Sequence, residues 1–377
     1  MPVQNLEPYT DAFTIGSQES ESAQSAMLLR LHPSLTPAQR DYIFLLCKDL
    51  GLSSRVFPEA SELVELSGPS APELRTRFED LPGVQILDGG EPAELVRGAG
   101  SPIGIEVAGA RFGAGDVALI AGPCAVEDYD LLLQIARGVR KRGATLLRGG
   151  AYKPRTSPYS FQGLGRPGLE LLARVREEAG IGVVTEVLDP RDVEAVVEAA
   201  DVLQVGARSM ANFALLKEVG QTRTPVLLKR GFAATLREFT MAAEYVLAGG
   251  NPAVILCERG VRGFDNVTRN LLDVGAVAWL KETTHLPVIV DPSHAAGRSD
   301  LVPPLARAGI AAGADGLMVE VHPTPFAARS DGQQAVSFET LEKIVADTEA
   351  LCALDGRRFV HPQITGTEAG PIEETVA

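Results

Sequence analysis

Apolar and polar residues alternate in blocks along the chain, with eight short apolar runs between residues 117 and 319. Most segments between these runs have the pattern of helices, and strands that alternate with helices predict a parallel sheet. Eight such units predict a closed (β/α)8 barrel, in which the residues just past each strand meet at one mouth. The predicted strands and the polar residues that follow them are 117–121 with Cys124, 145–147 with Arg148, 182–185 with Glu186, 202–205 with Arg208, 225–228 with Lys229, 253–256 with Glu258 and Arg259, 287–290 with Asp291 and His294, and 316–319 with Glu320.

A shorter pattern before the barrel predicts a small domain of its own. Strands are expected at 27–31, 54–57, 62–66 and 84–87, with one helix between Thr36 and Gly51 and another over 72–81. This βαββαβ order is typical of a ferredoxin-like module. The fold class is therefore α/β, a (β/α)8 barrel preceded by a ferredoxin-like domain. The predicted boundaries are a polar tail over 1–25, the ferredoxin-like domain over 26–90, a linker over 91–104, the barrel over 105–355, and a C-terminal tail without a clear element over 356–377.

Short polar residues mark where helices of the barrel are expected to begin, because their side chains can accept hydrogen bonds from the first free amides. A hairpin is expected over 105–112, immediately before the first barrel strand. The predicted helices run from the candidate cap Asp128 as far as Arg142, from Asp189 to about Ala200, from Thr235 or Leu236 to Leu247, and from Ser337 to about Leu354.

The overall charge excludes some classes of partner. A formal net charge of −14 and a pI of about 4.9 disfavour non-specific binding to nucleic acid or to an anionic membrane. The chain shows neither a signal-peptide pattern nor an apolar run of about 18 residues that would span a membrane. Its four scattered cysteines are too few for a disulfide framework, which favours reduced thiols in the cytoplasm. An anionic substrate would need a local cluster of cations.

The segment 148–163 is the sharpest local candidate for such a cluster. It carries Arg148, Lys153 and Arg155 within eight residues, and the hydroxyls of Thr156 and Ser157 can donate to phosphate oxygens. The alternative for this segment is a solvated basic loop. Arg208, Lys229 and Arg259 follow three further strands, and the alternative for each is a structural salt bridge. Six cations at one mouth exceed what one phosphate requires, which favours two anionic substrates.

A second group of residues has the chemistry of metal ligands. Cys124, His294, Glu320 and Asp331 offer one thiolate, one imidazole and two carboxylates, which suits Mn²⁺, Fe²⁺, Co²⁺ or Zn²⁺. They are far apart in sequence, and only a barrel would bring them together. The alternatives are that Cys124 is a small buried apolar residue and that His294 is structural. His322 lies two residues past Glu320 and is expected to orient a ligand or substrate.

Seven motifs occur in an order that resembles a known family. The motifs cover roughly residues 100–355 and are GPCAVED, RGGAYKPRTSPYSFQG, VGARSM, LLKRG, LCERG, DPSHAAGR and MVEVHP. As a set they are similar to the 3-deoxy-D-arabino-heptulosonate 7-phosphate (DAHP) synthases, in particular the type I beta subgroup with an N-terminal regulatory domain. The chain departs from the family at its divergent N-terminal module, at its long polar tail, and at Ala125, where Ser is common.

The resemblance implies an aldol-like condensation of phosphoenolpyruvate with erythrose 4-phosphate, the first step of the shikimate pathway. It implies metal binding by Cys124, His294, Glu320 and Asp331, with Lys153 as a proton donor or acceptor whose pKa is depressed. It further implies an aromatic amino acid as feedback effector and a homo-oligomer, either a dimer or a tetramer. Two alternatives remain, namely 3-deoxy-D-manno-octulosonate 8-phosphate synthase and a non-catalytic, ligand-sensing barrel. The residues implied around phosphoenolpyruvate are Arg148, Lys153, Glu186, Arg208, Lys229 and Arg259, and those around erythrose 4-phosphate are Lys153, Arg155 and Thr156.

Overall fold

The computed structural model describes residues 26–57, 60–68, 77–78, 81–87, 94–97, 102–155, 157 and 159–363. The chain divides into two compact units, one ending at Pro92 and the other beginning at Ala93. No helix among the described residues is both long enough and apolar enough to cross a lipid bilayer.

The first unit contains a four-stranded antiparallel sheet and one described helix. A capping box starts the helix, because Thr36 accepts from the Gln39 amide while the Gln39 side chain accepts from the Thr36 amide. The predicted second helix at 72–81 lies mostly outside the described residues, of which Arg77 and Phe78 are helical. The sheet order is β2-β3-β1-β4. The elements are β1 (Ala26–Leu31), α1 (Pro37–Asp49), β2 (Ser53–Phe57), β3 (Ala60–Ser67) and β4 (Val84–Leu87).

The second unit is a closed barrel of eight parallel strands, as the sequence predicts. Each strand pairs with the next along the chain, and the last strand pairs with the first, so that Gly316 lies opposite Ala118 and Glu320 opposite Gly122. The barrel strands are β7 (Asp116–Gly122), β8 (Leu146–Arg148), β9 (Gly182–Val187), β10 (Val202–Val205), β11 (Val226–Lys229), β12 (Val254–Glu258), β13 (Val288–Val290) and β14 (Gly316–Glu320).

Helices connect the barrel strands, and several start at the predicted caps. Asp128, Thr235 and Ser337 each accept a hydrogen bond from a first-turn amide. The predicted single helix from Asp189 begins instead with a 3₁₀ turn, Pro190–Asp192. The helices of this unit are α2 (Glu94–Arg97), α3 (Tyr129–Lys141), α4 (Arg166–Ala179), α5 (Val193–Ala199), α6 (Phe213–Gly220), α7 (Leu236–Ala248), α8 (Val274–Thr283), α9 (Pro292–Ala296), α10 (Val302–Ala311) and α11 (Phe338–Leu354).

Alternation along the strands divides the barrel core into two layers. One layer packs outward against the helices, and the other fills the barrel interior with at least one side chain from every strand. The predicted hairpin, β5 (Ile105–Val107) and β6 (Ala110–Phe112), adds Phe112 to the interior layer. Because apolar side chains fill the barrel interior, the polar side chains of the strands are concentrated at their carboxyl ends.

Two elements occur where the sequence predicts none. Helix α2 lies within the predicted linker, and the Glu244 carboxylate accepts hydrogen bonds from its Leu95 and Val96 amides. The expectation of no element after Gly356 is wrong, because β15 (Arg358–Phe359) pairs in parallel with the start of β7. The Arg358 guanidinium also binds the Asp116 carboxylate, with Nη2 2.7 Å from Oδ1.

Candidate active site

An open cavity of about 260 Å³ lies at the carboxyl ends of the barrel strands. Most of the predicted site residues line it or contact a residue that does. Arg148, Cys124 and Glu320 do not line the cavity themselves. Of the described residues, the charged and histidine side chains on its wall are Lys153, Arg155, Glu186, Arg208, Lys229, Arg259, Arg269, His294 and Asp331.

Arg148 is a buried guanidinium at the end of β8 and forms an ion pair with Glu320. Its Nη2 lies 3.0 Å from Glu320 Oε1, and its Nε donates to the Pro123 carbonyl oxygen at 3.3 Å. Its Nη1 is buried and has no hydrogen-bond partner among the described residues. A buried N–H without a partner is costly, and the described residues offer this one no acceptor.

Lys153 is buried beside Cys124, and its Nζ donates to the Cys124 carbonyl oxygen at 3.0 Å. Burial lowers its pKa, but Cys124, Glu186 and Glu320 more than offset this, so that the pKa is raised above its usual value. The expected depressed pKa is therefore wrong. Lys153 carries its charge at neutral pH, which suits a proton donor and an anion ligand better than a proton acceptor.

Glu186, the penultimate residue of β9, is a buried carboxylate among cations. Burial raises its pKa, while Lys153, Lys229 and other cations oppose the rise. The carboxylate lies against Gly206, where an added Cβ would come within 1.8 Å of Glu186 Oε1. Glycine at position 206 is therefore required for Glu186 to face the cavity.

Lys229, Asp291 and His294 form a chain of polar contacts across β11 and β13. Lys229 Nζ pairs with Asp291 Oδ2, and His294 Nδ1 lies 2.7 Å from the same oxygen. Because a carboxylate accepts only, Nδ1 carries the hydrogen and Nε2 presents a lone pair. Burial lowers the pKa of His294 to about 4, against opposition from Asp291 and Glu320. The imidazole is therefore neutral at physiological pH.

Phe232 lies on the cavity wall with three guanidinium groups around its ring. Arg259 is 4.6 Å from the ring centroid, and Arg208 and Arg262 are each 5.2 Å away. Arg259 is buried, and its Nη1 has no hydrogen-bond partner among the described residues. The aromatic face supports cations that point toward the cavity without consuming their N–H donors.

Three of the four predicted metal ligands meet at one point. The ligand atoms of Cys124, Glu320 and Asp331 all lie within 4.8 Å of one another, with Cys124 Sγ 3.2 Å from Asp331 Oδ2. His294 is outside this three-way group, although its Nε2 lies 3.2 Å from Glu320 Oε1. Burial raises the pKa of the Cys124 thiol to about 12. The alternative of Cys124 as a purely apolar core residue does not fit these polar contacts.

The geometry around Glu320 fits a cation. Its Oε1 makes no hydrogen bond, although Arg148 Nη2 and His294 Nε2 both approach it. The neutral imidazole turns a lone pair toward this carboxylate oxygen, an arrangement that a positive ion between them would stabilise. One sulfur, one nitrogen and carboxylate oxygens are the donor set of a transition-metal ion.

The remaining predicted residues are placed as follows. Arg155 Nη1 donates to Ser330 Oγ at 2.8 Å and lies 3.7 Å from Asp331 Oδ2. Thr156 lies outside the described residues. His322 is buried, and its Nδ1 accepts from the Thr324 amide, which leaves the hydrogen on Nε2. That Nε2 has no partner among the described residues.

The sequence interpretation missed several residues of this region. Phe232 and Arg269 line the cavity, and Gln334 donates to Glu320 Oε2. Buried Arg230 binds both Glu258 and Asp273, at 2.9 and 3.0 Å. A signal existed for Arg230, because it stands next to the predicted cation Lys229 in LLKRG, whereas Glu258 is among the polar residues that the sequence predicts after a strand. No pattern in the sequence marks Gln334 or Arg269.

Fold and site together define a class, the (β/α)8 enzymes that act on phosphorylated substrates with cations gathered at the barrel mouth. Residues 101–353 match the DAHP synthetase I family. The chain belongs to this family, whose reaction joins phosphoenolpyruvate to erythrose 4-phosphate at the start of aromatic biosynthesis, and it is an enzyme of that reaction.

Individual relatives agree with this assignment. A phospho-2-dehydro-3-deoxyheptonate aldolase of Thermotoga maritima is 50% identical over 247 residues, which cover 66% of this chain and 73% of the relative. The crystal structure of a DAHP synthase from the same organism matches with a TM-score of 0.71 and 41% identity, covering 89% of this chain and 99% of that one. A 2-dehydro-3-deoxyphosphooctonate aldolase of Acidithiobacillus ferrooxidans is more distant, at 35% identity over 246 residues, 60% of this chain and 86% of the relative.

Proposed function

We propose that the cavity at the barrel mouth is where this chain condenses phosphoenolpyruvate with erythrose 4-phosphate. The observation that carries the proposal is the convergence of six cationic side chains on one cavity, beside a cluster of thiol and carboxylate groups. In the reaction, C3 of phosphoenolpyruvate attacks the aldehyde carbon, water adds at C2, and phosphate leaves with cleavage of its C–O bond. Two phosphorylated substrates account for more cations than one phosphate would need.

Phosphoenolpyruvate is assigned to the cationic wall of the cavity. Arg259 Nη1, on this wall, donates to its carboxylate or phosphate oxygens, Lys229 contributes charge, and the buried Arg148, which does not line the cavity, adds charge at longer range. Arg208 completes the wall from β10, while Glu186 holds Lys153 and Lys229 by charge. Because these donors are fixed before substrate arrives, little reorganisation accompanies the development of charge during attack.

Erythrose 4-phosphate is assigned to the segment Lys153, Arg155 and Thr156. Arg155 is tied to Ser330 but keeps further guanidinium N–H groups for a phosphate. Lys153, which remains charged, donates a proton from Nζ to the aldehyde oxygen as the new carbon–carbon bond forms. The sugar aldehyde is thereby placed between the phosphoenolpyruvate wall and the thiol–carboxylate cluster.

A divalent ion is assigned to Cys124, His294, Glu320 and Asp331. The ion would supply Lewis-acid polarisation of the aldehyde oxygen. Cys124 must lose its proton to serve as a ligand, and Asp331 Oδ2, 3.2 Å from its Sγ, is an acceptor within reach. The mixed sulfur, nitrogen and oxygen set favours Mn²⁺, Fe²⁺, Co²⁺ or Zn²⁺ over Ca²⁺ or Mg²⁺.

We also infer that residues 26–90 form a regulatory domain that binds an aromatic amino acid, followed by the linker 91–104, the barrel 105–355 and the tail 356–377. The β2-β3-β1-β4 sheet order supports a ferredoxin-like module. We further infer a cytoplasmic homo-oligomer, either a dimer or a tetramer. The four cysteines are buried and free, which agrees with a reducing compartment.

A steady-state assay with each of two sugar phosphates tests the function. Phosphoenolpyruvate consumption is measured with erythrose 4-phosphate or arabinose 5-phosphate, before and after chelation, and with tyrosine or phenylalanine added. We expect phosphoenolpyruvate to be consumed with erythrose 4-phosphate but not with arabinose 5-phosphate. This activity should be lost on exhaustive chelation and restored by Mn²⁺ or Co²⁺. Turnover restricted to arabinose 5-phosphate would overturn the substrate assignment, and activity that survives chelation would overturn the metal assignment.

A further inference from the structure

We propose that Gln334 is a positioning residue for the metal centre, acting through Glu320. The inference rests on the proposed metal site and adds a residue to its support. Gln334 is fully buried, and its Nε2 donates to Glu320 Oε2 at 2.7 Å. Its Oε1 accepts from Arg269 Nη1 at 3.1 Å. Gln334 does not line the cavity, but its partner Arg269 does.

The orientation of the Gln334 amide is fixed by chemistry. A guanidinium has donors only, so the amide oxygen must face Arg269. The amide nitrogen must then face Glu320, which as a carboxylate can only accept. A flipped amide would set N–H against N–H on one side and oxygen against oxygen on the other. The hydrogen bond from Arg269 therefore fixes the orientation of the Gln334 amide, so that its Nε2 donates to Glu320.

Fixing Oε2 of Glu320 determines which oxygen is left for the ion. Oε1 is the oxygen without a hydrogen bond; it forms the ion pair with Arg148 Nη2 at 3.0 Å and lies 3.2 Å from His294 Nε2. With Oε2 held by Gln334, the carboxylate cannot rotate to place Oε1 elsewhere. The hydrogen bond thus occupies Oε2 and leaves Oε1 without a hydrogen bond in a carboxylate that belongs to the group with Cys124 and Asp331.

The same segment also fixes Asp331. Gln334 ends the 3₁₀ turn Gly332–Gln334, which begins directly after Asp331. The segment is held to β14, because the Val336 amide donates to the Glu320 carbonyl at 2.9 Å. Asp331 has a left-handed backbone with φ of 52°, and Arg269 Nη1 lies 3.8 Å from its Oδ1. Through their contacts with Glu320 and Asp331, Gln334 and Arg269 therefore link two of the proposed metal ligands.

Adjacent glutamines provide a matched pair of variants. Gln334→Leu removes both hydrogen bonds at similar volume, whereas Gln333→Leu alters an exposed neighbour. The full-length protein is stripped of metal, and Co²⁺ affinity is measured by competition with a chelator while the thiolate-to-cobalt absorption is recorded. We expect Gln334→Leu to bind Co²⁺ at least about tenfold more weakly with a shifted band, because ligand-supporting hydrogen bonds typically contribute that much.

Gln333→Leu should retain wild-type affinity and spectrum. Wild-type Co²⁺ affinity and an unchanged band in Gln334→Leu would overturn the inference. Unfolding of each metal-free variant in denaturant is measured in parallel, because a purely structural role would lower stability without moving the cobalt spectrum. If Gln334→Leu does not fold, Gln334→Asn takes its place, because it keeps the amide but is one methylene too short to reach Glu320. The same Co²⁺ affinity and absorption criteria then apply to Gln334→Asn.

Cys124→Ala separates failure of this inference from failure of the metal assignment. If Cys124→Ala loses Co²⁺ while Gln334→Leu retains it, the metal site stands and the positioning role of Gln334 is wrong. If Cys124→Ala also retains full affinity, the ion binds elsewhere and the proposed site itself is wrong. Loss in both variants, with Gln333→Leu unchanged, supports both.

Discussion

The two sides of the barrel mouth differ in their polar groups, because one is rich in hydrogen-bond donors and the other in acceptors. The side formed by β8, β10, β11 and β12 is rich in N–H donors, and two of its buried guanidinium groups have an N–H without a partner. The side formed by β7, β13 and β14 is rich in acceptors, with the oxygens of Glu320 and Asp331 and the sulfur of Cys124 close together. This contrast supports our proposal that the first side receives the anionic substrates and the second a cation.

Ion pairs join the two sides rather than leaving them independent. Arg148 on β8 pairs with Glu320 on β14, and Lys229 on β11 pairs with Asp291 beyond β13. Each pair holds a substrate-side cation against an acid that itself contacts His294. Charge at the mouth is therefore balanced by ion pairs that cross the barrel. Removing a charged side chain on one side should alter the electrostatic environment of its ion-pair partner on the other.

Removing the charge that lies between the two sides should have the largest effect. Lys153→Met should lower turnover by about a thousandfold, within the range that positioned proton donors contribute. The measurement is the steady-state rate with saturating substrates. Lys217→Met, at an exposed lysine on α6, should leave the rate unchanged. A Lys153→Met rate within tenfold of the wild type would remove Lys153 from the proposed chemistry.

The acceptor-rich side should make the metal-free protein sensitive to acid. Burial lowers the pKa of His294 to about 4 from an ordinary value of 6.5, so between these values the unfolded chain binds more protons than the folded one. The free energy of unfolding should therefore fall as pH falls through this window, by up to about 3 kcal/mol for this group. Urea unfolding in chelator at several pH values measures it.

His294→Gln provides the comparison for that pH series, because it lacks the titrating imidazole. The wild type should lose more stability than His294→Gln between pH 6.5 and 4. Identical pH dependence in the wild type and His294→Gln would show that the imidazole is not held neutral by burial.

The donor-rich side offers the smallest predicted effect, at Phe232. Phe232→Leu removes the aromatic face beneath Arg208 and Arg259, and cation–π contacts contribute about 1 kcal/mol when partly exposed. The KM for phosphoenolpyruvate should rise about fivefold with little change in kcat, because the contact supports ground-state binding. Phe264→Leu, at a fully exposed ring, is the control. A KM that moves equally in both variants would contradict the role.

Most of the barrel is predictable from the sequence because buried parallel strands are short, apolar and followed by polar residues. The run 202–205 coincides with β10, and other runs differ from their strands by one or two residues at the ends. Strand β15 escapes prediction because two residues have no periodicity. The cap residues succeed because Asp128 and Thr235 act locally, on amides three residues away.

The sequence predicts most of the charged side chains that the structure brings to the barrel mouth, but not the residues that contact them from outside the cavity. Lys153 was found from its motif, yet its pKa depends on Glu186 and Glu320, whose distance no motif reports. Gln334 lies fourteen residues from Glu320 in a loop that folds back onto β14. Such contacts depend on the path of the loop in three dimensions, which local sequence patterns do not encode.

The metal content of Cys124→Ala tests the account most directly. Wild type, Cys124→Ala and Cys352→Ala are purified in parallel, equilibrated with Co²⁺, dialysed and analysed by elemental analysis. Cys352 is the matched control, because its thiol is also buried but lies in α11. The account predicts a full complement in the wild type and Cys352→Ala and a strong reduction in Cys124→Ala. A full complement in Cys124→Ala would contradict the assignment of one barrel mouth shared by metal and substrates.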